Sequence, residues 1–140
     1  MARKVGFTQG TFDMFHIGHL NLIRNARQYC DYLIVGVNTD ELVETYKGKR
    51  TIVPFEERIA IVESIRYVDE AIMTATLDKF DVWKQRRYDL LFIGDDWKGS
   101  QRWIETEKQM SVYGVEVVYL PYTPTTSSTI IRQKLLAYSV

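Results

Sequence analysis

The sequence is poor in cysteine and histidine, and it carries no net charge. Its 140 residues include one cysteine and two histidines, and Lys+Arg and Asp+Glu are both 18. A single cysteine excludes an intrachain disulfide and a cysteine metal cluster. Balanced charge is unlike the basic surplus of proteins that bind nucleic acid without sequence preference. We therefore expect no nucleic-acid partner.

Long apolar runs are also missing from the sequence. No stretch approaches the roughly 20 apolar residues of a membrane-spanning helix. The first residues, Met1 to Val5, lack the apolar core of a signal peptide. We expect no membrane partner and a cytoplasmic location. A chain of 140 residues suits one domain, residues 1–140, around one core.

Short apolar runs alternate with helical patterns along the chain. The run from Tyr32 to Val37 is typical of a strand buried on both faces. Apolar spacing from Leu20 to about Tyr29 fits a helix. Further helices are predicted at 54–65, 78–87, 104–113 and 130–137. The alternation predicts an α/β fold, a three-layer Rossmann-like domain with a mostly parallel sheet of about five strands. Ligands bind such sheets beyond the carboxyl ends of the strands.

The segment Gly10-Thr11-Phe12-Asp13-Met14-Phe15-His16-Ile17-Gly18-His19 stands between the first predicted strand and the first predicted helix. Two histidines three residues apart lie on one helical face. A glycine-bearing turn at a helix start exposes backbone N–H groups that attract anions. The pattern indicates an anion-binding site. The alternative is that both histidines are structural, as caps or core groups.

This segment closely resembles the signature of the cytidylyltransferase branch of the nucleotidyltransferase superfamily. Over most of its length the chain is similar to the glycerol-3-phosphate cytidylyltransferases of that branch. The resemblance implies that His16 and His19 are catalytic and bind the phosphates of a nucleoside triphosphate. It also implies that Gly10, Thr11 and Phe12 belong to the nucleotide-binding turn.

Three further segments carry the resemblance. It implies that Lys47, in a basic loop after the second strand, reaches the triphosphate, with Lys49 a weaker candidate. Arg66, in Arg66-Tyr67-Val68-Asp69-Glu70, is implied to bind substrate phosphate, and Arg58 is a weaker candidate. Asp96, in Gly94-Asp95-Asp96-Trp97, is implied to contact the nucleoside. Each also has a structural alternative, as a solvated surface residue or part of a turn.

The segment before the last helix matches the family only in part. Its hydroxyl residues and helix-start amides form a candidate anion site: Thr123, Ser127, Ser128 and Thr129. Tyr122 stands where the family has an arginine, and a tyrosine hydroxyl cannot replace a guanidinium fork. Three arginines are candidates for that role: Arg50, Arg102 and Arg132. The segment from Ser100 to Tyr113 matches the family poorly, and a variable segment beside the site is a natural place to change acceptor specificity.

The resemblance implies an enzyme that transfers CMP from CTP to a phosphorylated small molecule, such as glycerol 3-phosphate, and releases pyrophosphate. It implies Mg²⁺ bound mainly through nucleotide phosphates, and a homodimer. No metal site of the protein itself is expected, because two histidines without a nearby third ligand make a poor zinc site. One alternative is another donor or acceptor: ATP onto a flavin-type phosphate, or CTP onto a phosphoamine or sugar phosphate. The other, raised by Tyr122, is a nucleotide-binding domain with little catalysis.

Overall fold

A computed structural model describes residues 3–138 of the chain, in which strands and helices alternate. The strands are β1 (Val5–Gly10), β2 (Tyr32–Asn38), β3 (Glu70–Thr74), β4 (Leu90–Gly94) and β5 (Glu116–Leu120). The helices are α1 (Ile17–Arg27), α2 (Asp40–Lys47), α3 (Phe55–Glu63), α4 (Lys79–Gln85), α5 (Gln101–Ser111) and α6 (Ser128–Tyr138). A short 3₁₀ turn, Asp95–Trp97, follows β4.

The five strands form one parallel sheet in the order β3-β2-β1-β4-β5. Six consecutive residues of β1 pair with β2, from Val5 opposite Tyr32 onward, and β1 pairs with β4 through Gly6 opposite Leu90. The chain moves outward from β1 to β3 and then restarts on the other side of β1. The strand order therefore reverses between β1 and β4, which opens a crevice at their carboxyl ends. The predicted Rossmann-like α/β fold is confirmed, and all five strands are parallel.

Both faces of the sheet are covered, which explains the continuous apolar runs. In β2, Leu33 packs in a core that includes Val62 of α3, whereas its neighbour Ile34 packs in a second core that includes Trp103 of α5. Adjacent strand residues point to opposite faces, so each core takes alternate residues of β2. Among the helices that the structure describes, none combines the length and the apolar character that crossing a bilayer requires.

Two helices begin three residues before their predicted starts because polar side chains cap them. His16 caps α1, which starts at Ile17. Ser100 caps α5, which starts at Gln101, and its Oγ accepts the backbone N–H of Trp103. A cap satisfies N–H groups that have no partner within the helix. Apolar spacing alone does not detect it.

The basic segment after β2 is also more helical than predicted. Lys47, predicted in a loop, lies in the last turn of α2. The helix ends at Gly48, whose φ of 74° places it in the left-handed region that glycine adopts without strain. The ammonium group of Lys47 is thus carried by a helix end, where a cation also interacts favourably with the helix dipole.

Candidate nucleotide-binding site

A cavity of about 380 Å³ lies at the carboxyl edge of the sheet. Its walls come from the start of α1, the end of α2, the turn after β4, and the segment between β5 and α6. Eight of the predicted site residues line it: His16, His19, Lys47, Asp96, Thr123, Ser127, Ser128 and Thr129. Residues more than 100 positions apart in the chain therefore share one site.

The two histidines cap α1 through one ring nitrogen each. Nδ1 of His16 accepts the backbone N–H of Gly18 at 3.1 Å, and Nδ1 of His19 accepts the backbone N–H of His16 at 3.2 Å. This is a reciprocal capping arrangement built from imidazoles. In a neutral imidazole one nitrogen is an acceptor and the other carries the proton. Both histidines must therefore carry their proton on Nε2, the nitrogen that the cap leaves available.

The surroundings of His19 keep its ring uncharged. Burial, with the neighbouring His16 and Lys47, lowers the pKa of His19 from 6.5 to about 3, although Asp13 acts in the opposite direction. Burial also lowers the pKa of His16. The two rings are stacked, with centroids 3.8 Å apart. Near neutral pH the pair therefore presents two neutral Nε2–H donors rather than imidazolium groups.

The turn before α1 holds this pair in place. Phe12 has a φ of 55°, unusual for a residue other than glycine, and its buried ring packs edge-on against the ring of His19, with centroids 5.3 Å apart. Gly18 is required between the histidines, because a Cβ there would lie 2.9 Å from Cε1 of His16. Gly10 and Phe12, predicted to bind nucleotide, line neither this cavity nor its neighbour but shape the turn.

Asp13 is the central structural residue of the site, although the sequence pattern alone assigns it no separate role. Its buried carboxylate accepts the backbone N–H groups of Ile52 and Val53, at 2.8 and 2.9 Å, and pairs with Arg132 of α6 at 2.7 Å. Its backbone carbonyl accepts the hydroxyl of Ser128 at 2.7 Å. The partners lie far away in the sequence, so only the fixed place of Asp13 in the motif could have pointed to it.

The segment before α6 forms the wall of the cavity that adjoins α1 and the histidine turn. Ser127 caps the helix, because its Oγ accepts the backbone N–H of Ile130 at 3.1 Å. Thr123 is held by Asn21 of α1, whose amide donates to Oγ1 at 3.1 Å. The start of α6, with its hydroxyls and N–H groups, therefore lines the same cavity as the histidine pair, an arrangement suited to anions.

The three candidate arginines have different positions. Arg132 lines the cavity, but its guanidinium is committed to Asp13. Arg50 is exposed, pairs with Glu44, and lines neither cavity. Arg102 lines a second cavity beside the first. Tyr122 itself lines the first cavity and is about half exposed.

The remaining predicted residues lie elsewhere. Thr11 lines the second cavity, where its hydroxyl contacts that of Tyr46 at 2.9 Å. Arg66 is exposed, donates to the hydroxyl of Tyr67, and precedes β3 at the amino edge of the sheet. The structure therefore does not bring Arg66 together with the histidines. Lys49 is exposed and lines neither cavity.

Arg58, a weaker candidate for substrate binding, is a structural residue instead. Its side chain is completely buried and pairs with Asp40 at 2.7 Å. It also donates to the backbone carbonyls of Thr11 and Val53. A guanidinium that satisfies three oxygens inside the protein ties the histidine turn to α2 and α3, and it is closed to ligands. The expectation for Arg58 was wrong.

Within residues 3–138, no group of three His, Cys, Asp or Glu side chains is placed to hold a metal ion. A metal carried by a phosphate ligand would not need such a group, because oxygens of the ligand and water would complete its coordination.

Comparison with known proteins identifies relatives of this chain. A model of the cytidylyltransferase-like family matches residues 7–134. The chain is 36% identical over 139 residues to a glycerol-3-phosphate cytidylyltransferase of Bacillus subtilis (strain 168), covering 94% of this chain and 97% of the relative. It is 30% identical over 116 residues to an FAD synthase of Thermococcus sibiricus (strain DSM 12597 / MM 739), covering 82% and 78%.

Solved structures show the same fold. A lipopolysaccharide core biosynthesis protein from Thermoplasma volcanium GSS1 superposes with a TM-score of 0.72 and 23% identity, over 87% of this chain and 98% of that one. A pantoate–β-alanine ligase from Francisella tularensis has a TM-score of 0.63 and 16% identity, over 99% and 71%. With the family model spanning most of the sequence, the chain belongs to the cytidylyltransferase-like family of nucleotidyltransferases.

Proposed function

We propose that this enzyme transfers CMP from CTP to a phosphorylated small molecule and releases pyrophosphate. The observation that carries the proposal is the orientation of the histidine pair. Both Nδ1 atoms accept backbone N–H groups, so both Nε2–H groups remain available in a cavity that Lys47 and the start of α6 also line. The three glycerol-3-phosphate cytidylyltransferases that match at 36–37% identity support CTP as the donor.

In this proposal the protein acts by positioning and by electrostatic stabilisation. An oxygen of the acceptor phosphate attacks the α-phosphorus of CTP in line, and the bond from that phosphorus to the bridging oxygen of pyrophosphate breaks. The attacking oxygen is already ionised at neutral pH, so no general base is required. His16 and His19 would donate Nε2–H to oxygens that gain charge in the transition state, and Lys47 would neutralise the triphosphate.

Magnesium would support this chemistry as a partner of the substrate. We propose that Mg²⁺ enters with the triphosphate and neutralises part of its charge. Lys47 and the hydroxyls and amides at the start of α6 would hold the remaining oxygens. Asp96, exposed on the turn after β4, would accept hydrogen bonds from the ribose hydroxyls.

The proposal extends to assembly and location. We propose a homodimer in the cytoplasm, as the family resemblance and the sequence led us to expect. Exposed apolar side chains near the end of α6, Leu135 and Tyr138, offer one surface for self-association. Analytical ultracentrifugation of the full chain would test this directly, and a single sedimenting monomer at tens of micromolar would contradict it.

ATP is the alternative donor, because one relative is an FAD synthase. Transfer of AMP from ATP to a flavin phosphate, with release of pyrophosphate, would use the same phosphate-binding residues. Competition binding with CTP, ATP and GTP separates the donors without requiring turnover. If ATP binds more tightly than CTP and GTP, ATP takes the place of CTP as the proposed donor.

Pyrophosphate release tests the proposed reaction. The enzyme is incubated with CTP and Mg²⁺, with glycerol 3-phosphate or other phosphate monoesters as acceptors. We expect release that depends on both CTP and an acceptor. Binding of CTP without release, with every acceptor, would favour a nucleotide-binding domain with little catalysis.

A further inference from the structure

A second cavity, of about 450 Å³, adjoins the first at the carboxyl ends of β1 and β2. Lys47, Ile93 and Trp97 line both cavities. A molecule whose phosphate reacts near Lys47 would therefore extend its other end into the second cavity. Its volume is within the range of small-molecule sites.

The charge in this cavity has one sign. Its lining includes three cations, Lys47, Lys79 and Arg102, and no aspartate or glutamate. Within residues 3–138, neither Lys79 nor Arg102 forms an ion pair. Both also lie in the first turn of a helix, where the helix dipole disfavours positive charge. In the part of the chain that the structure describes, no carboxylate therefore pairs directly with either cation.

Lys79 is the most informative of the three cations because it is only 8% exposed. Its ammonium group donates to Oε1 of Gln9 at 2.8 Å and to the backbone carbonyl of Leu77 at 3.2 Å. An ammonium group has three donors. One therefore remains for a ligand. The two hydrogen-bond acceptors are neutral oxygens, and the ring of Trp103 lies 5.9 Å from Nζ. Burial and the nearby Arg102 lower the pKa of Lys79 to about 7, with Asp78 opposing them, so an anionic ligand would favour the charged form. A buried charge without a counter-ion is costly unless a ligand supplies one.

A chain of hydrogen bonds fixes the lysine in this position. The side-chain amide of Gln9 donates to Oδ1 of Asn38 and to the carbonyl of Thr76, both at 2.8 Å, so its oxygen must face Lys79. The hydroxyl of Thr74 donates to the same oxygen of Asn38 at 2.8 Å. Gln9, Asn38 and Thr74 lie at the carboxyl ends of three neighbouring strands, β1, β2 and β3. The ammonium group is therefore preorganised, which makes an anion bound there specific rather than incidental.

We infer that the second cavity binds the non-reacting end of the acceptor, and that the acceptor is a phosphate monoester bearing a second anionic group, either a carboxylate or another phosphate. Lys79 and Arg102 bind that group. The inference rests on the proposed function and narrows its substrate class: a neutral polyol tail, such as that of glycerol 3-phosphate, would leave both cations without a counter-charge.

A matched pair of acceptors tests this inference. Glycerol 3-phosphate and 3-phosphoglycerate have the same carbon count and differ at one end, hydroxymethyl against carboxylate. Propane-1,3-diol bisphosphate adds the phosphate alternative. We measure kcat/KM with CTP for each, and binding of each to the CMP-saturated protein by calorimetry. We expect kcat/KM for at least one acidic acceptor to be about tenfold or more above that for glycerol 3-phosphate.

Variants show whether the cations cause the preference. Lys79→Met should reduce the ratio of kcat/KM for the acidic acceptor to kcat/KM for glycerol 3-phosphate to near one. A merely structural role for the lysine would not change this ratio. Arg102→Gln, at an exposed position that tolerates substitution, should lower the same ratio even if the first variant folds poorly. Lys84→Met, on the same helix as Lys79 but outside both cavities, should leave it unchanged.

The outcomes are distinct. If glycerol 3-phosphate supports CTP turnover at least as well as both acidic compounds, the inference is overturned and the proposed function stands. An acidic preference that both variants retain would also overturn it. If CMP does not bind and no acceptor supports pyrophosphate release, the proposed function itself fails.

Discussion

Asp13 and Arg132 form an ion pair that joins the histidine turn to the last helix. Arg132 Nη2 lies 2.7 Å from Asp13 Oδ2, and the aspartate side chain is only 4% exposed. The same carboxylate accepts the backbone N–H groups of Ile52 and Val53. Three distant segments therefore meet at one carboxylate, which holds α6 beside the histidine turn.

Removing the charge of Asp13 should destabilise the protein. Asp13→Asn preserves the size of the side chain but leaves Arg132 without a counter-ion, and one amide cannot accept from all three donors. We expect the free energy of unfolding to fall by about 3–5 kcal/mol, measured by urea denaturation. Asp81→Asn, which breaks an exposed pair with Lys84, is the control and should change it by less than about 1 kcal/mol. Equal effects of the two substitutions would refute this role for Asp13.

The capping and catalytic roles of His16 can be separated by substitution. Asparagine is a good N-cap residue, so His16→Asn should keep the cap of α1 and remove the Nε2–H donor. We expect kcat to fall about 100-fold or more, with a thermal midpoint near that of the wild type. His16→Ala should lose the cap as well. Wild-type kcat in His16→Asn would show that the histidine is only structural.

The stability of the ligand-free protein should fall as the solution becomes acidic. The unfolded chain binds a proton on His19 below its ordinary pKa of 6.5, whereas the folded protein does so only near its lowered pKa of about 3. Between these values the unfolded state holds more protons, so the free energy of unfolding decreases as pH falls, by up to about 1.4 kcal/mol per pH unit for this group.

Urea denaturation between pH 6.5 and 4.5 measures this slope before most carboxylates titrate. His19→Gln has no titrating group at that position, so its slope should be smaller. An identical slope in the variant would mean that His19 does not hold the lowered pKa. Because a bound triphosphate would favour the protonated ring, we expect CTP to reduce the acid sensitivity of the wild type.

Tyr122 stands where the family resemblance places an arginine, and it lines the nucleotide cavity. Since Arg132 is committed to Asp13, Tyr122→Arg should add a free guanidinium at the triphosphate. We expect the Kd for CTP to fall about tenfold with little change in stability, because the side chain is about half exposed. Unchanged affinity would show that another group already fulfils this role.

Local sequence patterns predicted the strands, the parallel sheet and the place of the site. These features depend on apolar periodicity and on the position of polar segments after strands, and both are visible within a few residues. The eight predicted residues that line the nucleotide cavity belong to four such segments. Their convergence follows from the topology, because the carboxyl ends of parallel strands meet at one edge.

The roles of Asp13 and Lys79 could not be predicted in this way. Asp13 is bound by residues 39 to 119 positions away, and Lys79 by Gln9, 70 positions away. From the sequence alone, a lysine at the start of a helix is expected on the surface, and only tertiary packing shows that Lys79 is buried. The motif match of Arg66 likewise did not reveal its position, before β3 at the other edge of the sheet, and its role in binding substrate phosphate stays a prediction.

The most direct measurement follows a label at the α-phosphorus of CTP during turnover with Mg²⁺ and a phosphate monoester. If the enzyme is a cytidylyltransferase, the label appears in a product that contains the acceptor, in equal amount to the pyrophosphate released, and His16→Asn reduces both together. Label found only in free CMP, or in CDP with the γ-phosphate moved to the acceptor, would contradict the account.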